Sequence, residues 1–285
     1  MKGTSTGMGA GAGAATSTST STGSDADRGT GMGTTPAPGA APTRAEICVV
    51  ACAEAWRGDG EVLAATAGTV PTLGARLARL TFSPDLLLTD GEALLLATPA
   101  DPGSIEGWLP YRKHLSLAAR GKRHMMMGAS QLDRYGNQNI SCIGQWARPE
   151  RQLLGSRGAP SNTVNHPVSY WVPRHSARVF VAHVDVVSGV GHDRAAEAGP
   201  AAARFHGLRR VVTDLAVLDF ATPDHRMRLA SVHPGVTVAQ VRERTGFPLE
   251  ITGEVPLTRE PTHAELRLIR EVLDPHDTRN REVRT

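Results

Sequence analysis

Aromatic residues make up only 4% of this 285-residue chain, and cysteine occurs three times, at Cys48, Cys52 and Cys142. Three scattered cysteines exclude a disulfide framework. No apolar run approaches the roughly 20 residues that span a bilayer. Neither sign of charge dominates: 31 Lys and Arg stand against 28 Asp and Glu, a net +3. With no clustered basic run, the balance argues against a nucleic-acid partner. The eleven histidines contain no H-x-x-x-H pair, and Cys48 with Cys52 lacks the second ligand pair that zinc needs. The phosphate-binding loop, the dinucleotide fingerprint and the G-x-S-x-G elbow are also missing. These absences predict a soluble cytoplasmic protein with no membrane partner, no metal and no separate cofactor.

Residues 1–44 are a Gly, Ala, Ser, Thr and Pro tract that includes Ala14-Ala15-Thr16-Ser17-Thr18-Ser19-Thr20. Such a segment cannot bury enough apolar surface to offset its ordering entropy. It also lacks the apolar core of a signal peptide, so a flexible, non-catalytic tail is expected. Residues 45–285 read as one domain. The spacing Thr43 to Glu46 is a capping box that opens a helix, and Thr262 with Glu265 opens another that runs to Leu273. Helices are also predicted at Thr72–Leu80, Trp108–Arg120 and Thr237–Thr245. Strands are predicted at Val62–Ala65, Asp85–Thr89, His124–Gly128, Arg178–Val187, Val211–Phe220 and Met227–Val232. Strands separated by helices of about ten residues predict an α/β fold, an open and mostly parallel sheet with flanking helices.

Three stretches could carry chemistry. The first is Gly128-Ala129-Ser130-Gln131-Leu132-Asp133-Arg134-Tyr135-Gly136-Asn137-Gln138-Asn139. It follows a strand, at the edge where open α/β sheets bind ligands. Its turn amides could hold an oxyanion, or its Asp and Asn side chains could simply satisfy their own backbone. The second, Gly155 to His166, is a polar loop that either lines a pocket or covers the surface; His166 could be a base or an anchor. The third, Leu88-Thr89-Asp90-Gly91-Glu92, offers two carboxylates at a strand end as acid, base or nucleophile, or merely a turn.

The first stretch, together with Val212-Thr213-Asp214-Leu215-Ala216-Val217-Leu218-Asp219-Phe220 and His233-Pro234-Gly235-Val236-Thr237, resembles the beta subunits of family I coenzyme A transferases. The resemblance covers about residues 43–275. It implies an open α/β fold and an active site shared with an alpha subunit. Ordinary members carry a nucleophilic glutamate in an E-x-G motif, where this chain reads Leu88-Thr89-Asp90-Gly91-Glu92-Ala93. They carry a Gly-Ala-Asn-Asp type sequence where this chain reads Pro160-Ser161-Asn162-Thr163-Val164-Asn165-His166. Both departures, and the run from Arg148 to Val172, are similar to an actinobacterial branch. That branch consists of heteromeric hydrolases that open the last ring of steroid-derived acyl-CoA in a retro-Claisen manner.

This resemblance implies that the catalytic glutamate sits on an alpha partner, in an α2β2 assembly, with coenzyme A as part of the substrate. Within this chain, Gly136 and Asn137 are the expected oxyanion donors. Gly128, Ala129, Ser130, Gln131, Asp133, Asn139, Asn162, Asn165 and His166 are the expected substrate-binding residues. Asp90 or Glu92 would serve if the protein were instead a true 3-oxoacid or glutaconate-type CoA transferase. A third reading makes the chain a non-catalytic brace.

Overall fold

Thr43 caps the first helix, α1 (Arg44–Ala53), by accepting from the Glu46 amide, while the Glu46 carboxylate accepts from the Thr43 amide. The capping box read from the sequence is therefore present. α1 is buried from Ala45 to Ala53, which small residues allow. The second helix, α2 (Thr69–Thr81), lies against it. Gly74 sets that distance: a Cβ there would come within 2.8 Å of the Cys52 Cβ and 3.0 Å of the Ala53 nitrogen. Crowding of this kind costs about 1–3 kcal/mol.

The computed structural model describes residues 40–89, 94–110, 112–113, 116, 119 and 122–283. The strands in chain order are β1 (Leu63–Thr66), β2 (Leu87–Thr89), β3 (Leu94–Thr98), β4 (Asp101–Trp108), β5 (Arg123–Gly128), β6 (Gln131–Leu132) and β7 (Gln138–Asn139). They continue with β8 (Cys142–Gln145), β9 (Arg148–Gln152), β10 (Pro167–Val172), β11 (Gly207–Thr213), β12 (Ala216–Asp219) and β13 (Arg228–Val232). Nine form one sheet in the order β13-β12-β11-β10-β5-β1-β2-β3-β4. Its centre, β11-β10-β5-β1-β2, is parallel. Antiparallel pairs finish both edges. β6–β7 and β8–β9 are separate hairpins.

Strand alternation sorts side chains onto two cores. Met126, Trp171 and Val212 join α1 and α2 on one face. Met127, Tyr170 and Val211 join Phe180, Val241 and Phe247 on the other. Among the described residues, no helix is long and apolar enough to cross a membrane.

Three sequence expectations are corrected. Trp108 ends strand β4 and does not open a helix; Arg112, Lys113, Ser116 and Ala119 beyond it are helical. Antiparallel pairing with β3 captured residues 101–108. Residues 178–187 form turns and bends, with one isolated bridge from Phe180 to Leu132. Phe180 is buried in the same core as Leu132, whereas Val187 is exposed, and the segment does not extend a sheet. Val211 to Phe220 is two strands, because Thr213 Oγ1 accepts from the amides of Leu215 and Ala216 and turns the chain there.

Candidate functional site

β1 continues rightward to β2, whereas β5, β10 and β11 build leftward from β1. The order therefore reverses between β1 and β5. In open α/β sheets the ligand crevice lies outside the carboxyl ends of the strands at such a point. Here those ends are Thr66 to Gly68 and Gly128 to Ser130. Nothing lies within 4 Å of a Cβ built on Gly128, so the backbone is open on that side.

Two cavities flank this edge. One, of about 620 Å³, is bordered by Ser130, Gln131, Arg151 and Arg178. The other, of about 440 Å³, is bordered by Arg174, Asp214, Arg281 and Glu282. The Glu282 carboxylate fills the N-terminus of α2. It accepts from the amides of Thr69 (2.7 Å) and Val70 (3.0 Å) and from the Trp171 indole (3.2 Å). An anion there is favoured by the unpaired amides and the helix dipole. Sequence reasoning missed Glu282 because 213 residues separate it from Thr69. Asp214 accepts from the His175 amide at 2.7 Å, and burial nevertheless pushes its pKa up. His175 is held between Thr213 Oγ1 and Thr245 Oγ1, and burial lowers its pKa to about 3, so it is neutral.

The stretch from Gly128 to Asn139 folds back as the β6–β7 hairpin, and most of its polar groups are engaged within the hairpin or with the segments beside it. The Gly136 amide donates to the Asp133 carbonyl at 3.0 Å. The Asn137 amide donates to Asp133 Oδ1 at 3.0 Å. Neither amide is left for an oxyanion, which corrects that expectation. Asp133 also accepts from the Tyr135 amide and from Asn137 Nδ2, while its burial raises its pKa. Asn137 Nδ2 reaches Asp193, and its Oδ1 accepts from the Gly191 amide. Gln131 pairs with Asp185 and Asn139. Asn139 additionally holds the Ser141 amide and the Cys142 carbonyl. Gly128, Ala129 and Ser130 remain at the crevice; Gln131, Asp133, Asn137 and Asn139 brace it. Gly136 has φ +80°, and a Cβ on it would collide with Leu208 and meet Phe220 at 2.8 Å.

Asn162, Asn165 and His166 are not brought to this edge. They belong to helix α3 (Ala159–Asn165) and its C-cap, which lie against β10 and β11, with His166 just ahead of the first residue of β10. Asn162 Oδ1 accepts from Arg123 at 3.0 Å, and Asn165 Nδ2 donates to the Ser161 carbonyl at 3.0 Å. Asn165 and His166 line a third cavity with Lys122 and Arg123, at the opposite end of β5. Arg123 and Lys122 are therefore remote from the crevice. Asp90 and Glu92 lie outside the described residues.

Residues 115–244 match the coenzyme A transferase family. The chain is 55% identical over 244 residues to the cholesterol ring-cleaving hydrolase IpdB subunit of Rhodococcus jostii RHA1, covering 85% of this chain and 96% of that one. It is 53% identical over 249 residues to the subunit of the same name from Mycobacterium tuberculosis H37Rv, covering 85% and 99%. The crystal structure of Rhodococcus jostii RHA1 IpdAB contains a chain that superposes with a TM-score of 0.82 at 54% identity, covering 86% of this chain and 100% of that one.

Proposed function

This chain belongs to the coenzyme A transferase family, and from that premise we propose that it is the beta subunit of a heteromeric hydrolase that opens the last carbocycle of a steroid-derived acyl-CoA. The observation that carries this reading is its 55% identity to the Rhodococcus jostii subunit over 96% of that relative. The substrate would be a β-diketone-like ring. Water adds to a ring carbonyl, the adjacent carbon–carbon bond breaks, and its electron pair goes to the neighbouring carbon, which takes up a proton. The attacked carbonyl becomes a carboxylate.

In this reading the partner supplies the glutamate that takes the proton from water. This chain supplies one wall. Gly128 to Ser130 line the crevice, and Arg151 and Arg178 offer charge suited to the phosphates of coenzyme A. That Asp133, Asp214 and Glu282 each bond to donors of this chain supports a base from elsewhere. The oxyanion donors are then to be sought on the partner. An α2β2 assembly in the cytoplasm, with no cofactor beyond the coenzyme A of the substrate, completes the proposal.

The test is coexpression with the alpha subunit and assay in isotopically labelled water. Ring opening should place label in the new carboxylate and need no acceptor acid, and borohydride should leave activity intact. Borohydride inactivation through an enzyme-bound thioester would sink the hydrolase reading in favour of CoA transfer.

A further inference from the structure

The third cavity lies where β1, β5 and β10 begin, at the end of the sheet opposite the crevice. Its volume is about 380 Å³, and Asp59, Val62, Lys122, Arg123, His166 and Arg209 are among its lining residues. Arg123 and Gly128 are the first and last residues of β5, so about 16 Å of strand separates the two sites.

The charges here do not balance. Asp59 is the only described carboxylate on the wall. It accepts from His124 Nδ1 at 2.6 Å and from Arg209. A carboxylate only accepts, so His124 carries its proton on Nδ1, and its Nε2 accepts from the Ser169 hydroxyl at 3.0 Å. Burial lowers the His124 pKa despite Asp59. Burial pushes Asp59 up, but its bonds to His124 and Arg209 outweigh that and hold it low. The pair is thus a neutral imidazole beside a carboxylate whose one charge Arg209 answers. Lys122 and Arg123 are left over.

Arg123 is the unusual member. Its partners are neutral: Asn162 Oδ1 at 3.0 Å and Met125 Sδ at 3.4 Å. Its Nε is buried with no partner, and among the described residues it forms no ion pair. Arginine does not shed its proton in proteins, and a charge taken from water without a counter-ion is costly. Its fork matches an oxyanion in two-point fashion. Val62, Pro167 and the exposed Phe205 add an apolar wall on the same cavity.

We propose that this cavity binds a small oxyanion, the carboxylate of a short organic acid or a free phosphate, with Arg123 and Lys122 as its counter-charges. The site is separate from the acyl-CoA crevice and does not depend on which reaction that crevice performs. Occupancy would give the Arg123 guanidinium a counter-charge, so the liganded complex is the more stable one.

The test uses the complex with its alpha subunit. Thermal unfolding and calorimetric titration are run with succinate and with inorganic phosphate, against sodium chloride at equal ionic strength. Saturable binding and a rise in Tm beyond chloride are expected. A stronger response to succinate identifies a carboxylic acid, and a stronger response to phosphate identifies phosphate. Arg123→Met should weaken binding roughly tenfold or more without lowering the Tm of the unliganded complex. Should that variant fail to assemble, Lys122→Gln on the exposed rim should weaken binding by about threefold. No Tm rise beyond chloride overturns the proposal, as does undiminished binding by both variants. Loss of succinate and phosphate binding on saturation with acyl-CoA also overturns it, because the anion would then sit in the crevice.

Discussion

Arg279 and Arg123 are both drawn out of water, and their surroundings differ. Arg279 is fully buried and meets Glu46 at 3.0 Å, Asp274 at 2.9 Å and Asp277. Glu46 also meets Arg270 at 2.7 Å. That cluster ties the C-terminal segment to the first turn of α1. Arg123 has an amide oxygen and a thioether. A charge with matched partners marks scaffold; a charge without them, beside a cavity, marks a place for something else. The same contrast holds for the hairpin and the crevice. The side chains of Asp133, Asn137 and Asn139 are consumed by bonds within the protein, whereas a Cβ built on Gly128 would meet nothing within 4 Å.

The largest effect should come from Arg279→Met. Removing Arg279 leaves Asp274 buried without its ion-pair partner and leaves Glu46 with Arg270 alone, so urea unfolding of the complex should show a loss of about 3–5 kcal/mol. Arg123→Met strands Asn162 Oδ1 but also removes an uncompensated charge, so the two offset and it should cost little by the same assay; a comparable loss there would erase the contrast.

Gly136→Ala should follow, at about 2 kcal/mol or more, since the new Cβ meets Leu208 and Phe220 at a positive φ. Asn137→Ala should cost roughly 1–3 kcal/mol, because it strands the Asp133 and Asp193 carboxylates and the Gly191 amide. A hairpin variant that keeps full stability but loses turnover would return these residues to chemistry.

The smallest effect is in pH. Burial raises Glu46 and Asp274, but bonds from arginine and from nearby amides outweigh it and hold both below their ordinary values of 4.5 and 3.8. A depressed folded pKa gives stability that is full above the ordinary value and is lost as pH falls through the folded one. The urea midpoint should therefore drop on acidification below about pH 4.5, and Arg279→Met should flatten that drop.

Much of the frame was legible in the sequence. Thr43 with Glu46, and Thr262 with Glu265, announced helix starts that the structure contains, because a capping box is local chemistry. Apolar runs such as Met125 to Met127 announced central strands, since a parallel strand is buried on both faces. Strand β9, Arg148–Gln152, is exposed throughout and carries no apolar signal. Val179, Phe180 and Val181 mimicked a strand because they do pair with Leu132, but over a single bridge that goes no further. The site was half legible. Gly128 to Ser130 follow from their place after a strand. Asn137 did not reveal that its partners are Asp193 and Gly191, more than fifty residues away, and nothing local links Glu282 to α2.

In the proposed hydrolase this chain forms one wall of an acyl-CoA site and does not start the reaction by itself. The decisive experiment purifies this subunit, the alpha subunit and their complex separately and follows ring opening of the steroid-derived acyl-CoA by each. Turnover is expected from the complex and from neither subunit alone. Sustained turnover by this chain alone would contradict this.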